Sequence, residues 1–282
     1  MQDRSLPVAA LTKERPEGKG IRAARVSKRS AFRRAPFFGG MNLHTDPHSL
    51  HTHLQTRVVE FPIEGGRTVS AYEARPSGTG ACPGIIVVQE WWGLNEHIKD
   101  VTRRLAAEGF VALAPDLYGG KVTADPAQAS SWMAALDREE AMRILLAALR
   151  FLQEKEPTYA EHMGVIGFCM GGSYALLLAC RTAALKAAVP FYGDHPDPID
   201  QVKNIRCPVL FIAGGKDPWI NPTKVRKLKE AFQQYGVHGE VRNYPDADHA
   251  FFNDTRPAVY HAAAAQDAWT RALGLFSRTL KS

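Results

Sequence analysis

From residue 84 onward, two patterns of hydrophobic and polar residues alternate along the chain. Short continuous apolar runs, of which 84–89 is typical, predict strands buried on both faces of a parallel sheet. Stretches with an apolar residue every three or four positions predict amphipathic helices that cover such a sheet. The predicted strands of this part are 84–89, 110–114, 164–168, 187–192, 208–213 and 240–244, and the predicted helices are 96–108, 138–154, 171–180, 222–235 and 263–280.

A different pattern precedes the first of these strands. Residues alternate between polar and apolar in 57–62 and 68–75, and the glycine-containing turn 64–66 between them predicts an antiparallel pair. The alternation of strand and helix that follows predicts a mostly parallel, doubly wound α/β sheet with helices on both faces. Because no second hydrophobic core is evident, we expect a single domain over residues 55–282.

Residues 1–54 lack this periodicity and carry an unbalanced charge. The first 40 residues hold ten Lys or Arg against three Asp or Glu, which leaves 25 basic and 26 acidic residues for the rest of the chain. The formal net charge of +6 therefore comes from this segment, and the nearly neutral remainder argues against a nucleic-acid partner. We predict a disordered basic tail over 1–54. A real tail, a targeting segment and a true start at Met41 are the three alternatives.

The composition also argues against an integral membrane protein, a disulfide-stabilised protein and a protein with a paired-cysteine zinc site. The longest apolar runs, 85–88 and 175–180, are far shorter than the roughly 18 residues that a membrane-spanning helix needs. The four cysteines are too few and too irregularly spaced for a disulfide framework or a paired-cysteine zinc site, so we expect a reduced, cytoplasmic protein. The tail also holds a group of histidines that we expect to be solvated rather than metal-bound, namely His44, His48, His51 and His53.

The most informative motif joins the predicted strand 164–168 to the predicted helix 171–180. It reads Gly-Phe-Cys-Met-Gly over 167–171, the pattern of a nucleophile elbow, in which flanking glycines allow a turn so tight that the central side chain projects from the sheet. Cys169 is that central residue, and the dipole of the following helix favours its thiolate form. The alternative interpretation is a buried structural cysteine beside packing glycines. The strand, the helix and both glycines together favour a nucleophile.

A nucleophile of this kind needs a base and an acid, which follow it along the chain in the order acid, then histidine. Asp217 comes just after the predicted strand 208–213, and His249 lies in the loop after the last predicted strand. Asp248 is adjacent to His249 and cannot easily face the same ring, so Asp217 is the better partner. Asp194, which also follows a strand, is the reserve candidate for the acid.

The chain resembles the dienelactone hydrolase family, whose typical member is a carboxymethylenebutenolidase, over about residues 57–280. The motifs that carry the resemblance are Gln-Glu-Trp-Trp-Gly at 89–93, Ala-Pro-Asp-Leu-Tyr at 114–118, Gly-Phe-Cys-Met-Gly-Gly at 167–172, Gly-Lys-Asp at 215–217 and His-Ala-Phe at 249–251. The resemblance implies an α/β-hydrolase fold with Cys169, Asp217 and His249 as the catalytic triad. It implies hydrolysis of a small-molecule ester or lactone through a thioester acyl-enzyme, without a metal or an organic cofactor.

Three further residues complete the expected catalytic site. The family places a glutamate where Glu90 stands, and the resemblance implies that it helps to activate the cysteine once substrate arrives. Backbone N–H groups of Trp91 and Met170 are expected to hold the oxyanion that develops on the attacked carbonyl.

The substrate pocket is predicted from aromatic residues near strand ends and from one substitution. Trp92, Tyr118 and Phe251 suggest an aromatic wall, although plain packing explains such residues equally well. Asn253 stands four residues after the catalytic histidine, where dienelactone hydrolases carry an arginine that clamps the substrate carboxylate. An amide cannot form a charge-assisted bidentate contact. We therefore expect Asn253 to line the pocket but to bind a substrate carboxylate more weakly than an arginine would.

Two other classes of function fit the same residues. A thioesterase or an amidase would keep the triad and differ only in the pocket. A non-catalytic binding protein on this scaffold would be expected to lack a triad residue, and all three are present. In each case we expect a monomer or a small homo-oligomer.

Overall fold

The computed structural model describes residues 54–78, 80–156 and 158–282. The strands are β1 (Leu54–Pro62), β2 (Thr68–Pro76), β3 (Cys82–Val88), β4 (Val111–Pro115), β5 (Thr158–Phe168), β6 (Leu185–Phe191), β7 (Val209–Gly214) and β8 (Gly239–Tyr244). The helices are α1 (Glu96–Ala107), α2 (Pro126–Ala135), α3 (Arg138–Lys155), α4 (Met170–Arg181), α5 (Pro222–Gln234) and α6 (Ala262–Leu280), with a 3₁₀ helix at Ile199–Asn204.

One eight-stranded sheet runs through the described part of the chain in the order β1-β2-β4-β3-β5-β6-β7-β8. The β1–β2 and β2–β4 pairs are antiparallel, and every other neighbouring pair is parallel. This is the mostly parallel sheet of the α/β-hydrolase fold, so the predicted fold class is confirmed.

Helices cover both faces of this sheet because successive side chains of a strand point to opposite sides. Ile86 and Val88 pack with α3, α4 and α5 in one hydrophobic core. Ile85 and Val87 pack with α1 and α6 in the other. Strands that are buried on both sides therefore appear as continuous apolar runs in the sequence.

The structure departs from the sequence prediction mainly where periodicity is weak. The pattern does not predict α2, because Ala129 is the only fully buried residue among its ten. Strand β5 begins at Thr158 rather than at residue 164, since its first half is polar and largely exposed. The predicted tail lies outside the described residues, except for Leu54, which is the first residue of β1.

None of the described helices is both long enough and apolar enough to cross a bilayer. The histidines at 44, 48, 51 and 53 lie outside the described residues.

Candidate active site

Loops that follow the carboxyl ends of five neighbouring strands surround one cavity of about 430 Å³. Glu90 follows β3, Cys169 follows β5, Tyr192 follows β6 and His249 follows β8, and all four line this cavity. Asp217 follows β7 and lies behind His249. Parallel strands place their carboxyl ends at one edge of the sheet, which is where open α/β sheets bind ligands.

Cys169 sits on a strained turn between β5 and α4. Its φ of +55° lies in the left-handed region that residues with a side chain rarely adopt. Its N–H donates to the carbonyl of Phe191 at 3.1 Å, which ties the turn to β6. A Cβ on Gly167 would overlap the backbone of Gly171, and one on Gly171 would overlap the backbone at Val88. Both glycines are therefore required for this close approach.

A short hydrogen bond links His249 to Asp217. The Nδ1–H of His249 donates to Asp217 Oδ2 at 2.6 Å, so Nε2 is the ring nitrogen that remains for Cys169. The other oxygen of Asp217 accepts from the backbone N–H groups of Trp219 and Ile220, both at 2.8 Å. The carboxylate is buried and fixed on three donors, so it holds the imidazole in one orientation.

The surroundings of His249 change its proton affinity. Burial by itself lowers the pKa of the imidazole, but hydrogen bonds and charge interactions with Asp217 and Cys169 outweigh burial and raise that pKa to about 10. At neutral pH the ring is therefore an imidazolium whose Nδ1–H donates to Asp217. An imidazolium beside a cysteine stabilises the thiolate, which is the nucleophilic form.

The remaining cysteines have different environments. Burial raises the pKa of both Cys180 and Cys207 to about 12, so these thiols stay protonated at neutral pH. Cys82 is half-buried at the start of β3, and its thiol faces the carbonyl of Gly80 at 3.8 Å. Of the four cysteines, Cys169 alone lines the cavity that Glu90 and His249 also line.

Glu90 is 1% exposed, and its hydrogen-bond donor is a residue that the sequence analysis predicted for the substrate pocket. Its Oε2 accepts from the side-chain amide of Asn253 at 2.8 Å. The Asn253 Oδ1 in turn accepts from the backbone N–H and the hydroxyl of Thr255, at 3.1 and 2.6 Å. Asn253 is thus held in place behind Glu90 and does not line the cavity, which corrects its predicted place in the pocket.

The aromatic residues predicted for the pocket divide between three places. Trp92 lines the cavity that contains Cys169, as do Trp91 and Met170. Tyr118 lines a neighbouring cavity of about 450 Å³, and its hydroxyl contacts the sulfur of Met170 at 3.3 Å. Phe251 is fully buried in the core between Tyr192 and Tyr244, at ring distances of 5.6 and 5.3 Å, because the loop after His249 turns inward.

The cavity is also lined by residues that sequence reasoning missed, among them Arg256, Trp219 and Lys224. The guanidinium of Arg256 lies over the ring of Trp92, 5.2 Å from its centroid. Trp219 is 61% exposed, and its ring meets His249 edge-on at 4.9 Å.

The ammonium of Lys224 lies 2.5 Å from Asp194 Oδ2. Asp194, the reserve candidate for the acid, therefore pairs with a lysine, while His249 bonds to Asp217.

Within the described ranges, no three His, Cys, Asp or Glu side chains come together as a metal-binding group. The polar groups that line the cavity include the thiol of Cys169, the imidazole of His249, which bonds to the carboxylate of Asp217, and the carboxyl group of Glu90.

The chain matches the model of the dienelactone hydrolase family over residues 69–280. Protein usf of Aquifex pyrophilus is 37% identical over 233 residues, which cover 79% of this chain and 99% of that protein. A protein of Bradyrhizobium sp named "Probable 2-oxo-3-(5-oxofuran-2-ylidene)propanoate lactonase" is 38% identical over 221 residues, which cover 74% of this chain and 88% of that protein. The crystal structure of P91, a dienelactone hydrolase-like promiscuous phosphotriesterase from metagenomic libraries, matches with a TM-score of 0.74 and 30% identity, over 80% of this chain and 99% of P91.

Proposed function

The chain belongs to the dienelactone hydrolase family, and on that basis we propose that it hydrolyses small-molecule esters or lactones through a Cys-His-Asp triad. The observation that carries the proposal is the position of Cys169 on the elbow, beside a histidine fixed on Asp217 by a 2.6 Å hydrogen bond. A thiolate on an elbow of this kind attacks a carbonyl carbon that enters the cavity above it.

The first half of the reaction transfers the acyl group to Cys169. The thiolate adds to the ester carbonyl, and the backbone N–H groups of Trp91 and Met170 hold the oxyanion. Met170 is the first residue of α4, so its N–H has no acceptor within that helix. Such donors typically stabilise the transition state by about 2.7–4 kcal/mol each. The imidazolium of His249 then protonates the leaving oxygen, and a thioester remains.

The second half returns the enzyme to its starting state. Neutral His249 takes a proton from water, the water oxygen bonds to the acyl carbon, and the thioester C–S bond breaks with its electron pair left on sulfur. Glu90, which lines the same cavity as Cys169 and His249, supports the cycle as an acidic group of the site.

The walls of the cavity suggest which substituents the substrate carries. Trp91, Trp92 and Trp219 supply apolar surface, and Arg256 supplies a cation. Since Asn253 is not in the cavity, Arg256 is the residue of the 249–261 loop that can meet a substrate carboxylate. An aromatic or unsaturated lactone with an acidic substituent fits these walls.

A substrate panel tests the proposal. It contains a p-nitrophenyl ester, a carboxylated and a neutral lactone, a thioester, an anilide and a phosphotriester, each assayed before and after alkylation with iodoacetamide. We expect ester and lactone turnover that alkylation abolishes. A thioester or an anilide as the preferred substrate would favour the alternative hydrolases, and turnover that survives complete alkylation of Cys169 would overturn the proposed mechanism.

A further inference from the structure

The cavity that contains Cys169 adjoins a second cavity between α4 and α5. This α4–α5 cavity has a volume of about 480 Å³. The residues that line both cavities are Met133, Met170, Ser173, Asp194 and Lys224. Because the two cavities have these walls in common, a molecule too long for the first cavity can extend into the second.

Helix α4 sets the direction of the second cavity relative to the nucleophile. Cys169 directly precedes α4, and Met170, Ser173 and Leu177 follow at spacings of three and four residues, which places them on one face of the helix. A helix rises 1.5 Å per residue, so Leu177 lies about 12 Å along the helix from Cys169. The α4–α5 cavity therefore begins beside the nucleophile and leads away from it.

The acyl part of an ester is the part that fits this direction. In the proposed reaction His249 protonates the leaving oxygen, and His249 lines the Cys169 cavity but not the α4–α5 cavity. The leaving group therefore stays in the first cavity, on the side of His249 and Trp219. Met170, whose N–H is proposed to hold the oxyanion of the acyl carbonyl, lines both cavities. A long acyl chain can thus leave the reacting carbonyl along α4.

The surface that α4 gives to the second cavity is mostly apolar. Met170 and Leu177 are 7% and 6% exposed, and Tyr174 is half-buried. The hydroxyl of Ser173 accepts a hydrogen bond of 2.7 Å from the backbone N–H of Asp194, so it is already partnered. An alkyl chain that lies along this surface removes apolar area from water, which is favourable.

The charged groups of the second cavity leave positive charge without a carboxylate partner. Its ionisable side chains, apart from the tyrosine, are Arg138, Lys224, Lys227, Asp194, Asp197 and His195. Lys224 pairs with Asp194 at 2.5 Å. Arg138 donates only to the backbone carbonyl of Asp197, at 3.5 Å, and neither Arg138 nor Lys227 forms an ion pair among the described residues. Three cations against two carboxylates give the cavity a net positive charge.

We propose that the α4–α5 cavity is a subsite for the acyl chain of the substrate, in which Arg138 and Lys227 select a chain with a carboxylate at its far end. The inference rests on the proposed function, since an acyl chain enters this cavity only from an ester that reacts at Cys169. Both cations line the second cavity and not the first. Apolar surface next to the nucleophile and free cations farther away match, in that order, an alkyl chain and its terminal carboxylate.

The length of the cavity sets the length of the chain. An extended chain advances about 1.3 Å per bond, so about nine bonds span the 12 Å or so between the thiol and the far end of the α4 wall. A monoester of sebacic acid reaches this far, and a monoester of adipic acid does not.

The experiment compares p-nitrophenyl esters that have the same leaving group. The acyl chain is that of sebacic or adipic acid, and it ends either in the free carboxylate or in the neutral primary amide of the same shape. The ratio of kcat/KM for the acid to kcat/KM for the amide isolates the effect of the terminal charge. We expect this ratio to exceed one for the sebacic chain and to fall with added salt, since exposed charges are screened.

Lys227→Gln and Arg138→Gln, each in the full chain, test the two cations. Each change should lower the sebacic ratio about two- to fivefold, as for the loss of one exposed ion pair, and should lower the adipic ratio less. The loss should appear as a higher KM for the acid, because the terminal carboxylate is bound equally in the ground state and in the transition state.

Lys229→Gln is the matched control. Lys229 carries the same charge on the same helix, is exposed, and lines neither cavity. We expect its sebacic ratio to match that of wild type. Thermal unfolding checks that all three variants are folded.

The possible results separate the two proposals. A wild-type sebacic ratio near one, or a ratio that both Lys227→Gln and Arg138→Gln leave unchanged, overturns the subsite. Ester turnover in the same assays then leaves the proposed function intact. A preference that disappears in Arg256→Gln but persists in Lys227→Gln and Arg138→Gln also overturns the subsite, since it places the carboxylate in the Cys169 cavity. A wild-type protein that hydrolyses none of these esters and no p-nitrophenyl acetate overturns both.

Discussion

The side-chain amide of Asn253 donates a hydrogen bond of 2.8 Å to Oε2 of Glu90, across 163 residues of sequence. Both residues are about 1% exposed. Among the described residues, the Asn253 amide is the one hydrogen-bond donor to the buried carboxyl group of Glu90. Asn253 therefore acts on the site through Glu90 rather than through the substrate.

Replacement of Asn253 by leucine should destabilise the fold. The change removes the donor of Glu90 and leaves a buried carboxylate without a partner, which costs about 1–3 kcal/mol or more for a charged group. Urea unfolding monitored by circular dichroism measures the loss. Asn243→Leu, at an exposed position on β8, is the control and should change the free energy of unfolding by less than about 0.5 kcal/mol. Equal stability of the two variants would show that the hydrogen bond contributes nothing.

Cys169→Ala should abolish ester turnover while the thermal unfolding temperature stays nearly unchanged. The thiol is the proposed nucleophile, and alanine removes it without opening a large cavity. Cys82→Ala serves as the control, since Cys82 is half-buried at the far end of β3 and should be dispensable for turnover and for inactivation by iodoacetamide. Wild-type activity in Cys169→Ala would contradict the assignment.

The rate should fall at high pH with an apparent pKa near 10. The folded-state pKa of His249 is raised from its ordinary 6.5 to about 10, so the imidazolium that protonates the leaving group is lost as the pH rises through about 10. By the same linkage, its contribution to stability is complete below about 6.5 and disappears between 6.5 and 10. The pH dependence of kcat/KM measures the first effect.

Asp217→Asn should move the fall of kcat/KM at high pH to lower pH, because the hydrogen bond and the charge of Asp217 both raise the pKa of His249. Thiol alkylation rates across the same pH range provide a second measure of the imidazolium–thiolate pair. If the alkaline limb of the pH–rate profile stays in place in Asp217→Asn, Asp217 does not raise the pKa of His249.

Arg256→Gln should reduce any preference for carboxylated over neutral lactones. A hydrogen bond to a charged group contributes about 1.5–3 kcal/mol, which corresponds to a fall of about 10- to 160-fold in the ratio of the two kcat/KM values. Arg226→Gln changes the same residue type on the exposed side of α5 and should leave the ratio as it is. A wild-type ratio in Arg256→Gln would assign carboxylate recognition to another group.

A chain shortened to begin at His53 should fold and hydrolyse esters as the full chain does. The shortened chain keeps all of β1, which starts at Leu54 and pairs with β2 along its length. The basic residues that it lacks follow no apolar period in the sequence. Soluble expression, thermal unfolding and kcat/KM test the prediction, and loss of soluble protein would show that residues 1–52 take part in packing.

The central strands of the sheet could be predicted because burial on both faces leaves continuous apolar runs, as in 84–89. The proposed triad could be predicted for a related reason, since each member follows a recognisable strand end. Helix α2 could not, because it presents no apolar face, and the cavity residues Ser130 and Met133 that it contributes were missed with it.

Other parts of the site depend on features that exist only in three dimensions. Tyr192 is distinguished by its backbone angle and by an unpartnered hydroxyl, and neither leaves a trace in the sequence. Residues 249–256 form one loop, in which His249 and Arg256 turn toward the cavity while Phe251 and Asn253 turn inward. Which way each residue of such a loop faces is decided by the packing beneath it.

The exposed indole of Trp219 provides an optical signal beside the proposed triad. The Trp219 ring lies edge-on to His249 at 4.9 Å, and the backbone N–H of Trp219 donates a hydrogen bond to Asp217. A substrate that enters the cavity displaces water from this ring, and each proton that His249 gains or loses changes the charge beside it. Stopped-flow tryptophan fluorescence should therefore follow binding and proton transfer in real time, without a chromogenic leaving group on the substrate.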